Sequence, residues 1–306
     1  MHVKILGSAA GGGFPQWNCA CQNCRLVRRG QFAGKARSQA QVALSEDGRS
    51  WFLLGASPDL RMQIESSPEL HPTDGVRLSP VSGVVLPGAD VDQTLGLLLL
   101  RELQPFNVYA TNSVIRILRD QNSMFRMLNR AKDQVRWQTI RAGVSFQLCT
   151  VRDEPTGIAC MPLALSSRYP AYVDGSGLAP EDAVLGLILT SASGKKLAYL
   201  PSVARVSDEL RDQLNEVDLL LFDGTFYSDD ELVRLQGSGQ HAHEMGHMAV
   251  GSKDGSLHQL ATLKKLHKLY IHINNTNPML NEVGPEYRAV CEAGWELAED
   301  GWQTTL

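Results

Sequence analysis

Nowhere in its 306 residues does the chain hold the ~18–20 continuous apolar positions that a membrane-spanning helix requires. Its longest aliphatic stretch, Leu95-Gly-Leu-Leu-Leu-Leu100, runs straight into Arg101 and Glu102. The N-terminus lacks the basic region and long apolar core of a secretory signal, so none is expected. A strong excess of one charge is missing too. Twenty-nine basic against 33 acidic side chains leave −4, which argues against a general electrostatic grip on nucleic acid or an anionic membrane. Hydrophobic residues at 43% and charged residues at 20% exclude a disordered or collagen-like chain. Six cysteines over this length fall well short of a disulfide framework. The expectation left standing is a cytoplasmic globular protein of unspecified oligomeric state, whose partner is a small acidic molecule rather than a polymer.

Short β-prone runs alternate with helical patterns for most of the chain. Gln41–Leu44 and Trp51–Leu54, joined through Glu46-Asp47-Gly48, carry a strong hairpin signal. Val84–Leu86 reads as a buried strand followed by a helix over Thr94–Leu103, and Val217–Phe222 as a strand followed by a short helix over Asp229–Leu235. Strand-rich halves with interleaved helices, no repeat and no linker predict an α/β fold: a four-layer αββα sandwich forming a single domain over residues 1–306.

Asn18-Cys-Ala-Cys-Gln-Asn-Cys24 crowds three thiols together. Thiolates so spaced can wrap one tetrahedral Zn²⁺ at about 2.3 Å each, with a fourth ligand from elsewhere. The alternatives are free thiols or a redox pair at Cys21 and Cys24. Three sulfurs leave little room for substrate, so a zinc here is expected to be structural. Cys149, Cys160 and Cys291 stand alone and read as small core hydrophobes.

Three of the eight histidines cluster in Gln240-His-Ala-His-Glu-Met-Gly-His-Met248. In extended backbone His241 and His243 share a face, and on a helix His243 and His247 do so. A solvated polar loop is the bland alternative. The sharper reading is a metal site using two or three of them with a carboxylate, and two histidines plus one carboxylate, leaving open positions, suit Fe(II) and O₂ chemistry. Candidate carboxylates are Asp223, at the mouth of an apolar strand where an unpaired charge is costly, and Asp90 and Asp92, beside Gln93 where a strand breaks at Pro87-Gly88. Asp92 also suits a helix N-terminus. His272, late on a strand and followed by Asn274, Asn275 and Asn277, completes the set of candidate catalytic residues.

Together Lys4–Cys24, Leu86–Leu97 and Asp223–Phe226 resemble the metallo-β-lactamase superfamily, and with Gln240–Met248 the whole chain resembles its PqqB family. The resemblance implies an αββα sandwich and a role in making the cofactor pyrroloquinoline quinone (PQQ). It also implies altered chemistry. The superfamily's His-x-His-x-Asp-His signature meets Gly88, Asp90, Asp92 and Gln93, later ligand positions meet Ser166 or Ser167 and Ser202, and only Asp92 and His272 persist. A two-zinc hydrolase is thereby largely dismantled. The implied activity is an iron-dependent oxygenase hydroxylating the tyrosine of a glutamate–tyrosine intermediate, with His241, His243, His247, Asp223 and Asp92 as candidate ligands of a catalytic Fe(II). A carrier of PQQ or its precursor toward the periplasm, working with other PQQ biosynthesis proteins, is the alternative, and a residual hydrolase a third. Superfamily members sharing C-x-C-x-x-C take a fourth zinc ligand where this chain has Asn275. Lys35, Arg37, Arg61 and Arg168 are basic groups available to an acidic substrate.

Overall fold

A computed structural model describes residues 1–73, 75–264 and 266–306. By its contacts the chain divides into two compact units: Met1–Leu6, Gln41–Lys195 and Gly301–Leu306 form one, and Gly7–Ala40 and Lys196–Asp300 the other.

In the first unit, β1 (His2–Gly7, its last residue just past the boundary), β2 (Gln41–Ser45), β3 (Trp51–Leu54), β4 (Val81–Val85), β5 (Phe106–Thr111) and β6 (Val135–Ile140) lie side by side in chain order, with the last strand, Gln303–Thr305, outside β1. β2 and β3 are antiparallel, as the Asp-Gly signal predicts. The turn is locked by Asp47, whose Oδ1 accepts from Arg49 N and Ser50 N at 2.8 Å each, while Gly48 takes φ 70°. From β3 to β6 the pairing is parallel, and the inner strands are apolar on both faces because both are covered. Leu53, Val84, Leu86, Val108 and Ala110 anchor the core of this unit. β7 (Phe146–Cys149), β8 (Pro155–Ser166) and β9 (Val184–Thr190) form an antiparallel set.

The helix expected over Thr94–Leu103 begins earlier and tightens: an α-turn at Val91–Thr94 gives way to 3₁₀ geometry over Leu95–Leu100. The cause is Gly96, whose N–H donates to Ala56 O at 2.9 Å. A Cβ at that position would stand 2.2 Å from Ser57 O, so only glycine permits the approach.

The second unit is built on β10 (Lys196–Leu200), β11 (Leu219–Asp223), β12 (His267–Ile271) and β13 (Glu296–Leu297), successive parallel neighbours. Tyr270 stacks on Trp295 at 4.1 Å between ring centroids, and Lys268 caps the same indole at 5.1 Å. In parallel sheets, functional groups gather where strands end, and here β11 ends in Asp223 and β12 stops one residue before His272. Cys160 is a core residue, Cys149 is half-buried, and Cys291 is exposed, against expectation. Its helix, Pro285–Glu292, buries only Val290, and Cys291 lies among its exposed positions with Pro285, Arg288 and Glu292. Among the described residues no helix is long and apolar enough to cross a membrane.

Candidate metal centres

Three groups of side chains among the described residues bring ligand atoms within 4.8 Å of one another: Cys19, Cys21 and Cys24; Asp223, His247 and His272; and Asp229, His241 and His243. All three lie in the second unit.

The cysteine cluster forms because Cys21 caps the helix Gln22–Arg28, its sulfur accepting from Cys24 N at 3.5 Å, while Cys19 Sγ accepts from Cys21 N at 3.4 Å. Asn275 projects into the cluster, with Nδ2 at 3.1, 3.7 and 3.3 Å from the sulfurs of Cys19, Cys21 and Cys24. Its amide therefore stands at the fourth vertex, and turning it presents Oδ1 to the same point. Burial opposes ionisation of Cys19, but donors from Cys21, Cys24 and Asn275 outweigh it and lower the thiol's pKa. Burial pushes the Cys21 thiol up to about 11. A cation among the three sulfurs would remove the conflict between crowding and ionisation.

Asp223 is wholly buried. Its Oδ1 accepts from Thr225 N at 3.0 Å and Thr225 Oγ1 at 2.6 Å; its Oδ2 accepts from Val203 N at 2.9 Å and lies 2.8 Å from His247 Nδ1. Burial would raise the pKa of this carboxyl, yet His247, His272 and Thr225 together lower it. Thr225 Oγ1 also stands 2.9 Å from His272 Nδ1 and 3.1 Å from His247 Nδ1. The hydroxyl thus fills the space among the inner ligand atoms. In the proton arrangement that serves the shortest contact, Thr225 donates to Asp223 and each imidazole donates through Nδ1–H. Nε2 is then the unprotonated nitrogen of each ring, the tautomer in which metal-binding histidines are usually fixed. The two rings stack at 5.5 Å with 23° between planes. His272 holds this position with φ 58°, a left-handed conformation of the kind found at functional sites.

The third group is open to solvent. Asp229 accepts from His241 Nδ1 at 2.9 Å and from His243 Nδ1 at 2.8 Å, and its side chain also takes His243 N at 3.0 Å. Both imidazoles lower the Asp229 pKa against the opposing effect of burial.

The sequence groups His241, His243 and His247 together; the structure separates them. His243–Met245 is a single 3₁₀ turn rather than a helix, so the one-face argument for His243 and His247 does not apply. Gly246 follows at φ 87°, and His247 N returns to Ala242 O at 3.0 Å. That reversal sends His247 to Asp223 and leaves His241 and His243 with Asp229. Asp229 is the residue that sequence reasoning missed. It reads as the first residue of a helix, whereas the observed helix, Glu231–Gln236, starts beyond it.

Asp90, Asp92 and Gln93 lie in the first unit at the start of the Val91–Thr94 turn: Asp90 exposed, Asp92 half-buried, Gln93 buried. Asp90 O accepts from Gln93 N and Thr94 Oγ1 at 2.9 Å each, so Asp90 opens the turn through its carbonyl. Of the basic residues, Arg37 is buried, donating to Ser8 Oγ and Ala298 O, and Lys35 pairs with Glu299. Both are engaged within the fold.

Residues 50–273 match the family described as the beta-lactamase superfamily domain. The chain is 41% identical to coenzyme PQQ synthesis protein B of Methylorubrum populi over 98% of both chains, and 40% identical to the protein of that name from Bradyrhizobium diazoefficiens over the full length of both. It superposes on the crystal structure of Zn²⁺-bound PqqB from Methylobacterium extorquens with a TM-score of 0.91, at 39% identity and full coverage of both chains. The fold class is accordingly the αββα metallo-β-lactamase-like sandwich that the sequence predicts. With full-length relatives at this identity and a superfamily match across most of its residues, the chain belongs to the coenzyme PQQ synthesis protein B family of the β-lactamase superfamily.

Proposed function

We propose that the chain serves PQQ biosynthesis as an iron-dependent oxygenase hydroxylating the tyrosine ring of a glutamate–tyrosine intermediate. The observation that carries this reading is the pair His247 and His272, each fixed through Nδ1 by a wholly buried Asp223–Thr225 network. Imidazoles oriented in this way by a carboxylate and a hydroxyl fit a first-row divalent ion, and a site with few protein ligands leaves positions for O₂ and a carboxylate-bearing substrate. His247 and His272 would hold the ion through Nε2, and when bound, Fe(II) supplies activation of O₂ for aromatic hydroxylation. Asp223 holds the Nδ1 proton of His247 and, as an ionised group beneath the site, offsets positive charge there. Thr225 donates a hydrogen bond to Asp223 and accepts one from His272, so neither ring can rotate without breaking a buried hydrogen bond. The thiolates of Cys19, Cys21 and Cys24, with Asn275, are the donor set best matched to a structural Zn²⁺.

The relatives' role in PQQ synthesis supports the pathway, and loss of the superfamily's histidine signature at Gly88, Asp90 and Gln93 argues against a hydrolase. The test is anaerobic reconstitution with Fe(II), followed by a Glu–Tyr substrate, O₂ and ascorbate, whose two electrons reduce the second oxygen atom to water. A catechol product is expected; stoichiometric iron with no catechol would overturn the assignment.

A further inference from the structure

We infer that Asp229, His241 and His243 form a second, solvent-exchangeable site for a borderline divalent cation such as Zn²⁺, separate from the Asp223–His247–His272 centre. The inference does not depend on the proposed oxygenase activity.

Two imidazoles and a carboxylate are the donor types that bind Zn²⁺, Ni²⁺ and Cu²⁺. Here Asp229 Oδ2 lies 2.9 Å from His241 Nδ1 and 3.0 Å from His243 Nδ1, so one oxygen meets both rings directly. In the buried centre the Thr225 hydroxyl occupies the corresponding place. The backbone is arranged around the exposed trio beforehand. Asp229 O accepts from Ala242 N at 2.8 Å, Asp229 Oδ1 from His243 N at 3.0 Å, and Glu244 Oε2 from His241 N at 2.8 Å. Four groups of the His-Ala-His segment therefore meet Asp229, namely His241 Nδ1, Ala242 N, and the N and Nδ1 of His243, and the two rings stand 5.5 Å apart.

Accessibility sets the character of the site. The side chains of His241, His243 and Asp229 are 42%, 65% and 37% exposed, whereas those of His247 and Asp223 are 13% and 0% exposed. An ion at the outer position exchanges with solvent, and one at the inner position does not do so readily. The outer site also grips the turn that ends in His247, since His247 N donates to Ala242 O.

The test is Zn²⁺ titration of the full-length protein by calorimetry, with bound metal counted after dialysis at fixed free Zn²⁺. The His241→Ala/His243→Ala variant and, separately, Asp229→Asn are each expected to bind one equivalent fewer than the wild type, with circular dichroism confirming the fold. A Zn²⁺-soaked crystal is expected to show an anomalous peak among the three side chains. Equal stoichiometry and affinity in wild type and variants, or no peak there, would overturn the inference.

Discussion

Asp223 and Asp229 lie close together in sequence, and each accepts hydrogen bonds from imidazole Nδ1 atoms, yet their surroundings make different chemistry of the same residue types. Asp223 is at the end of an apolar strand with no exposed surface, and four donors surround its two oxygens. Asp229 lies in a surface loop, and both of its imidazoles remain open to water. A buried carboxylate has to be satisfied from every side, which fixes its partners' tautomers. An exposed one only gathers its partners. Burial thus turns a pair of histidines into a rigid presenting surface, and its absence leaves a chelating cluster.

The largest effect separating the two should come from deletion. Asp223→Ala strands Val203 N, Thr225 N and His247 Nδ1 in the interior, so urea unfolding is expected to show a loss of about 3–5 kcal/mol. A loss below about 1 kcal/mol would place Asp223 in the same class as Asp229.

Glu231 supplies a control, a buried carboxylate with no imidazole. Burial pushes it up to about 7, although Thr276 Oγ1 and Tyr227 N donate to it. A folded pKa above the ordinary value of 4.5 favours the protonated form, so its contribution is complete below that value and disappears as pH rises through about 7. Wild-type stability is expected to fall by on the order of 3 kcal/mol across that window, relative to Glu231→Gln. Parallel pH profiles for the two proteins would contradict it.

Next comes Thr225→Val, which removes the hydroxyl from among the inner ligand atoms. A loss of about 1–3 kcal/mol is expected, together with looser His272 geometry seen as line broadening of its imidazole resonances. Unchanged resonances would show that packing alone positions the ring. The smallest effect is expected for Asp229→Ala, below about 1 kcal/mol and shrinking with added salt, read by thermal unfolding at two ionic strengths.

The cysteine cluster was legible because its members are adjacent in sequence, and short spacing alone restricts where three sulfurs can go. Asp223 was legible because a charge at the end of Leu-Leu-Leu-Phe has few affordable environments. The partition of the histidines was not. It depends on Gly246 taking φ 87°, a backbone choice that the sequence permits without requiring. Asp229 escaped notice because Ser228-Asp229-Asp230 reads as a helix opening, and only the return of the chain at Ala242 shows where its carboxylate points. Helix ends were displaced where glycine allowed close backbone approach, as at Gly96, a contact encoded in no local periodicity.

The most direct measurement is iron binding and product formation by His272→Ala beside the wild type, each loaded anaerobically with Fe(II) and then given a Glu–Tyr dipeptide, O₂ and ascorbate as the two-electron reductant. If the network of Asp223 and Thr225 exists to present His247 and His272 to one ion, the variant loses that iron equivalent and forms no catechol, while its fold persists by circular dichroism. A His272→Ala protein that keeps its iron and hydroxylates tyrosine at the wild-type rate would contradict the account.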